Sequence, residues 1–140
     1  MKIKKTLDSF NNAINGIIDT VRTERNMRIH LIATLGVLIA CFCFDISKVE
    51  FLILTVTISM VIAAELVNTA IEATIDMTTN YYHPLAKVAK NAAAGAVLIT
   101  AINALVVGYV IFWDKVSNLS YNLINKVKNS EPYTMLIVLF

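Results

Sequence analysis

Apolar residues recur every three or four positions from about Thr6 to Met27, at Leu7, Phe10, Ile14, Ile17 and Val21, while Asp8, Asn11, Asn12, Asn15 and Asp19 take the other faces. That spacing follows the 3.6-residue helical turn and predicts an amphipathic helix over about 6–27. The pattern then changes. Three nearly continuous apolar runs follow, over about 29–44, 49–70 and 92–113. A helix that is apolar all round is a buried one, and crossing a hydrocarbon core about 30 Å thick takes roughly 20 helical residues. The second and third runs reach that length, and the first does so if the turn around Arg28 and His30 contributes.

The breaks between the runs define the topology. Asp45-Ile46-Ser47-Lys48 is short enough to impose an antiparallel helical hairpin. Asp76 to Asn80 and then Tyr81-Tyr82-His83-Pro84 form a polar break whose aromatic residues suit a headgroup belt, with Pro84 placed to open the next helix and Lys87 and Lys90 on a short helical lead-in. The third run begins with the small residues Ala92-Ala93-Ala94-Gly95-Ala96, which let membrane helices approach closely, and Trp113 marks its far interface. The expected fold is an all-α integral membrane protein with one surface helix and three spans. Residues 1–114 form the membrane domain, and 115–140 form a polar tail with an apolar terminus at Met135 to Phe140.

Composition agrees with this class. The 140 residues are 57% hydrophobic with a mean hydropathy of +0.67, whereas soluble domains are about 45–50% apolar. A net charge of +2 without a basic, aromatic-interleaved patch gives no reason to expect nucleic acid as a partner. The positions of the basic residues are more telling. Lys2, Lys4, Lys5, Arg22, Arg25 and Arg28 precede the first span, so the amino terminus is expected on the cytoplasmic side, with the amphipathic helix on an anionic membrane surface. Three spans then place the tail outside, against which Lys115, Lys126 and Lys128 count mildly. The first thirty residues lack the compact apolar core of a cleavable signal, so insertion is expected to rely on the spans. Cys41 and Cys43 lie two positions apart in an apolar run and point to different sides of a helix, which makes them small apolar fillers.

One block breaks the apolar logic. Glu65, Asn68 and Glu72 stand at the end of the second run, and a spacing of i, i+3, i+7 places them on one helix face. An ionisable side chain at the bilayer centre costs roughly 2.5–3.5 kcal/mol on insertion scales. Counting from Val49 places Glu65 just inside the apolar boundary and Glu72 just beyond it, so the site is interfacial. Glu24, Asp76 and Lys90 gather at the same end. Carboxylates with a lysine suit a hard cation and a phosphate, since Mg²⁺ takes one or two carboxylates plus phosphate oxygens. Gly16, Gly36, Gly95 and Gly108 assemble neither GxGxxG nor GxxxxGK[ST], so a nucleotide site here is of another kind.

The run Glu65-Leu66-Val67-Asn68-Thr69-Ala70-Ile71-Glu72-Ala73-Thr74-Ile75-Asp76, followed by His83-Pro84-Leu85-Ala86-Lys87-Val88-Ala89-Lys90 and Ala93-Ala94-Gly95-Ala96-Val97-Leu98, resembles the bacterial diacylglycerol kinase and undecaprenol kinase family. The likeness covers about Phe10 to Trp113 and includes Gly16, Arg22, Glu24 and Arg28. It implies a homotrimer in the bacterial cytoplasmic membrane, with sites shared between subunits, that phosphorylates a lipid hydroxyl from MgATP. It further implies that Glu65 is the general base, that Glu24 and Glu72 hold Mg²⁺, and that Asn68 positions the base or the metal-bound phosphate. Lys90 would meet the transferring phosphoryl group and Asp76 would face the nucleotide. At Asn91 the family usually carries Asp, so the nucleotide end loses a carboxylate and altered nucleotide handling is expected. The stretch Tyr82-His83-Pro84-Leu85-Ala86-Lys87 is similar to the Gram-positive branch, which favours undecaprenol over diacylglycerol as substrate.

Blander readings stand beside these. Glu65 can be a protonated group hydrogen-bonded between helices, Glu72 and Lys90 an interfacial ion pair, Asp76 helix-end solvation, and Glu24 part of a charged face with Arg22, Arg25 and Arg28. His30 and His83 read as interfacial residues. Two other function classes also fit a short apolar chain: a proton-coupled transporter, which needs a fourth span and a deeper carboxylate, and a noncatalytic scaffold packed through Ala92 to Ala96.

Overall fold

The computed structural model describes the backbone of residues 2–78 and 83–129 and the side chains of 6–78 and 83–121. The headgroup-belt residues Tyr81 and Tyr82 and the apolar terminus at Met135 to Phe140 lie outside the described residues, as do the side chains of Lys2, Lys4, Lys5, Lys126 and Lys128. Four helices account for the described chain: α1 Lys2–Thr23, α2 Arg25–Cys43, α3 Lys48–Thr78 and α4 Pro84–Asn129. The last three are long and apolar enough to cross a membrane.

The first boundary differs from the expected helix over 6–27. Glu24 is extended, at φ −93° and ψ 121°, and its N–H closes α1 by bonding the Thr20 carbonyl at 2.8 Å. Met27 therefore belongs to α2, where its side chain is fully buried. A break of one residue without Gly or Pro leaves no mark on the periodicity, because Arg22, Arg25 and Arg28 keep the segment polar across it.

The hairpin turn is locally determined. Phe44 leaves α2 extended, with its N–H on the Ala40 carbonyl at 3.0 Å. Ser47 and Glu50 then cap α3 reciprocally: the Ser47 N–H donates to Glu50 Oε2 at 2.8 Å, and the Glu50 N–H donates to Ser47 Oγ at 3.3 Å. This S-x-x-E capping box satisfies donors that a helix start otherwise leaves bare.

The two long helices exceed their expected spans. At about 1.5 Å per residue, the 31 residues of α3 extend about 46 Å, well beyond a 30 Å hydrocarbon core, so its two ends cannot both be immersed. Pro84 opens α4 at its first turn as the sequence predicts, but the helix does not stop at Trp113; it continues to Asn129 through the first half of the expected polar tail. No Gly or Pro stands between Tyr109 and Asn129 to end it.

Within the single chain the core is a narrow seam. On α3 the buried residues Leu54, Thr57, Val61, Glu65 and Asn68 form one stripe, and α3 packs mainly on α4, whose buried positions are Ala93, Val97 and Ile111. Spacings of three and four along that stripe are those of a helix seam. Large apolar residues elsewhere on all four helices are exposed, from Phe10 on α1 to Phe42, Leu52 and Leu105 on the others. A surface of that character is covered by lipid or by other chains.

Candidate active site

The α3 stripe changes chemistry as it approaches its carboxyl end. Leu54, Thr57 and Val61 are followed on the same face by Glu65 and Asn68, which are only 1% and 7% exposed. Thr57 hides its polarity by donating to the Ile53 carbonyl at 2.8 Å. Glu65 does not: both its carboxylate oxygens, and Oδ1 of Asn68, are buried without a hydrogen-bond partner among the described residues. Leaving one such group bare costs about 1–3 kcal/mol, and more for a charge. Nearly all buried polar atoms in folded proteins are paired, so unpaired oxygens on two side chains one turn apart mark a place built for something other than stability.

The neighbours are arranged around that point. One turn on, Asn68 Nδ2 donates to Glu72 Oε1 at 3.0 Å, which fixes the Glu72 carboxylate on the α3 face. Glu24 at the α1–α2 break, Glu72, and His30 in the second turn of α2 all lie close enough to act electrostatically on the Glu65 charge. Three carboxylates from two elements therefore share one region. The local cause is the break at Glu24: it turns the chain so that α1 ends against α2 and α3 instead of running on as one rod. Thr20, buried in the last turn of α1, satisfies its hydroxyl internally on the Gly16 carbonyl at 2.9 Å.

Further along α3, Asp76 Oδ1 accepts from Lys90 Nζ, an ion pair that ties the last turns of α3 to the second turn of α4. Lys90 thus pairs with Asp76 and not with Glu72, which separates a lysine–aspartate pair in the exposed zone from the buried Glu65–Asn68–Glu72 group. Asn91 is exposed beside it. Of the residues singled out in the sequence, the structure brings together Glu24, Glu65, Asn68 and Glu72, and joins Asp76 to Lys90.

An apolar cavity of about 310 Å³ opens among α2, α3 and α4. His30, Ala33, Thr34, Val61, Ala101 and Ala104 are among the residues that line it. Val61 lies one turn before Glu65, so this space ends next to the buried carboxylate. The sequence reading gave His30 no partner set; in the structure it shares one at least half-buried face of α2 with Met27, Thr34 and Val37.

Among the described residues no group of three or more His, Cys, Asp or Glu side chains converges to hold a metal ion. The pair Glu24 and Glu72 nevertheless suits Mg²⁺, because that ion takes one or two protein carboxylates and completes its shell with phosphate oxygens and water. The hydrogen bond from Asn68 leaves Glu72 one oxygen fixed and the other available.

Fold and site together define an all-helical membrane protein with a buried carboxylate, flanking carboxylates and an outlying lysine, a set chemically suited to phosphate. A profile of the prokaryotic diacylglycerol kinase family matches residues 11–112. The chain is 43% identical to the undecaprenol kinase of Bacillus subtilis over 81% of its own length and 93% of that protein. It is 41% identical to a diacylglycerol kinase of Synechocystis over 73% of its length and 59% of that protein, and 34% identical to the diacylglycerol kinase of Escherichia coli over 56% and 64%. The chain belongs to the prokaryotic diacylglycerol kinase family, and it is a kinase.

Proposed function

We propose that the protein transfers the γ-phosphoryl group of ATP to the hydroxyl of a membrane lipid alcohol, and that this alcohol is undecaprenol. The observation that carries the chemistry is Glu65: buried, without a partner, and one turn from an apolar cavity. A lipid chain lying in that cavity presents its hydroxyl to the carboxylate, and Glu65 accepts the proton as the oxygen attacks phosphorus. Phosphoryl transfer asks little covalent chemistry of the protein and much positioning and charge neutralisation. Glu24 and Glu72 would hold Mg²⁺, which supplies that neutralisation at the phosphate oxygens. Asn68 orients Glu72, Lys90 exchanges Asp76 for the transferring group, and Asp76 faces the nucleotide with Asn91 beside it.

Undecaprenol is favoured because the Bacillus subtilis relative bears that name and is matched along nearly all its length. Diacylglycerol, giving phosphatidic acid, is the second reading, favoured by the names of the Synechocystis and Escherichia coli relatives. The assembly is a homotrimer, supported by the narrow single-chain core and the exposed apolar faces. In the bacterial cytoplasmic membrane, α1 lies on the cytoplasmic surface with Phe10, Ile14 and Ile17 in the bilayer, and the site opens to that side, where ATP is found.

Labelled ATP is supplied with undecaprenol or diacylglycerol in mixed micelles. Labelled lipid phosphate from undecaprenol at a higher kcat/KM than from diacylglycerol is expected. A preference for diacylglycerol would reverse the substrate, and no labelled lipid from any alcohol would overturn the reading.

A further inference from the structure

Among the described residues His30 is the one titratable side chain that lines the apolar cavity, and Glu65 is the buried carboxylate one turn beyond Val61 on the cavity's α3 wall. The two interact electrostatically. From α3 the groups facing this point are Glu65 and, two turns on, Glu72. From the α1–α2 break it is Glu24. The α4 wall contributes Ala101, Ala104 and Leu105, none of which titrates. His30 is half-buried in regular helix, on the same face of α2 as the buried Met27 and the half-buried Thr34 and Val37.

We propose that His30 is the positioning and proton-relay partner of Glu65, a role that rests on the lipid kinase reading above. A buried base that takes a proton in each turnover must release it before the next. In an apolar pocket Glu65 has no hydrogen-bond partner of its own through which to do so. The balanced sequence is short. The lipid O–H bond breaks and its proton goes to a Glu65 oxygen, the lipid oxygen bonds to the γ-phosphorus, and the bond from that phosphorus to the bridging oxygen breaks, ADP keeping the electron pair. The proton then passes from Glu65 to an imidazole nitrogen of His30 by way of a water molecule, since the two side chains are not hydrogen-bonded to each other, and from there to the aqueous interface, leaving Glu65 ionised again. Histidine suits this work because its ordinary pKa, about 6.5, lets it accept and release a proton near neutrality.

The test uses the full-length enzyme in mixed micelles. H30Q keeps a polar side chain of similar reach but does not titrate, and H30A opens space at the cavity edge. Both are expected to lose at least tenfold in kcat while KM for ATP stays within twofold, and added imidazole is expected to restore H30A but not H30Q. A residue needed only for packing would not be rescued by imidazole. A measurement that leaves residue 30 unchanged guards against variants that fail to fold. His30 and His83 are the two histidines of the chain, so in an H83Q background His30 is the one imidazole that diethyl pyrocarbonate can acylate, and the inactivation should be reversed by hydroxylamine, which frees imidazole but not lysine adducts, and be slower when lipid alcohol is bound. Wild-type kcat in H30Q, no imidazole rescue of H30A, or no inactivation of H83Q by the reagent would each overturn the role of His30. If wild type itself labels no lipid alcohol, the kinase reading falls, and that outcome is distinct from an active wild type with an equally active H30Q.

Discussion

The two ends of the α3–α4 pair handle polar groups in opposite ways. At the hairpin end Lys115 and Glu50 are paired with each other. Lys115 Nζ donates to the Asp45 carbonyl at 2.7 Å and meets Glu50 Oε1 at 3.3 Å, while Glu50 also caps α3 with Ser47. Phe44 and Phe112 pack edge to face beside them, with centroids 5.9 Å apart. At the carboxylate end the buried oxygens of Glu65 and Asn68 are left bare. The first arrangement closes a turn and ties α4 to it. The second holds polar groups in an environment that does not satisfy them, the arrangement expected where a fold departs from local consistency for function.

The sharpest way to break this contrast is Glu65→Gln. It removes the base but keeps the size and polarity of the side chain, so kcat should fall by about 10²–10⁴-fold, the usual contribution of a general base. Thermal stability in detergent should hold or rise, since the buried site no longer contains an ionisable group. A stable variant with wild-type turnover would make Glu65 a structural group between helices, and the difference between the ends would lose its meaning.

Asn68→Ala probes the next contact. Without the bond to Glu72 Oε1 the carboxylate is free to rotate. Loss of a group that orients a metal ligand typically lowers metal affinity or activity by about 10–100-fold. The loss should be partly recovered at higher Mg²⁺, read from a Mg²⁺ titration of kcat/KM. If the titration is unchanged, Asn68 acts on Glu65 or on phosphate and not through Glu72.

The contrast also explains how much of the molecule was legible in the sequence. The spans, the hairpin and the Glu65–Asn68–Glu72 face follow from apolar length and from i, i+3, i+7 geometry, which are local properties of one helix. The end of α1 at Thr23 was not legible, because one extended residue at Glu24 leaves composition unchanged. Neither was the run of α4 to Asn129, where polarity suggested a tail but nothing stops a helix. Ser47 and Glu50 carried a readable capping signature that the apolar pattern overshadowed. Lys115 is a case of another kind: its partners Asp45 and Glu50 lie in the hairpin turn and at the start of α3, so only the packing of α4 on α3 gives it meaning.

A smaller effect is expected at the exposed edge of the carboxylate end. Lys90 already has Asp76 as a partner, so Asn91 does not leave it without a countercharge. Asn91→Asp should therefore change KM for ATP by no more than about fivefold, the scale of an exposed ion pair of up to 1 kcal/mol. Asp76→Asn should change it more, because it takes away the charge that Lys90 is bonded to. If Asn91→Asp has the larger effect, the nucleotide end depends on the second position and the Asp76–Lys90 pair is incidental.

Lys115→Met is the converse of Glu65→Gln and should move activity least. It keeps the length and apolar stem of the side chain, removes the bond to the Asp45 carbonyl and frees Glu50 to remain on Ser47. Because the capping box survives, α3 still begins at the same residue, and the helix register that places Glu65 is preserved. The expected outcome is a melting temperature lowered by a few degrees in detergent with kcat and KM for ATP unchanged. The physical reason is separation along a stiff element: Glu50 and Glu65 are fifteen residues apart on α3, about 22 Å of unbroken helix, too far for a partly exposed ion pair to be felt through ordinary screening. A fall in kcat without a fall in stability would mean that α4 passes the state of the hairpin on to the carboxylates, and the two ends would then form one mechanism.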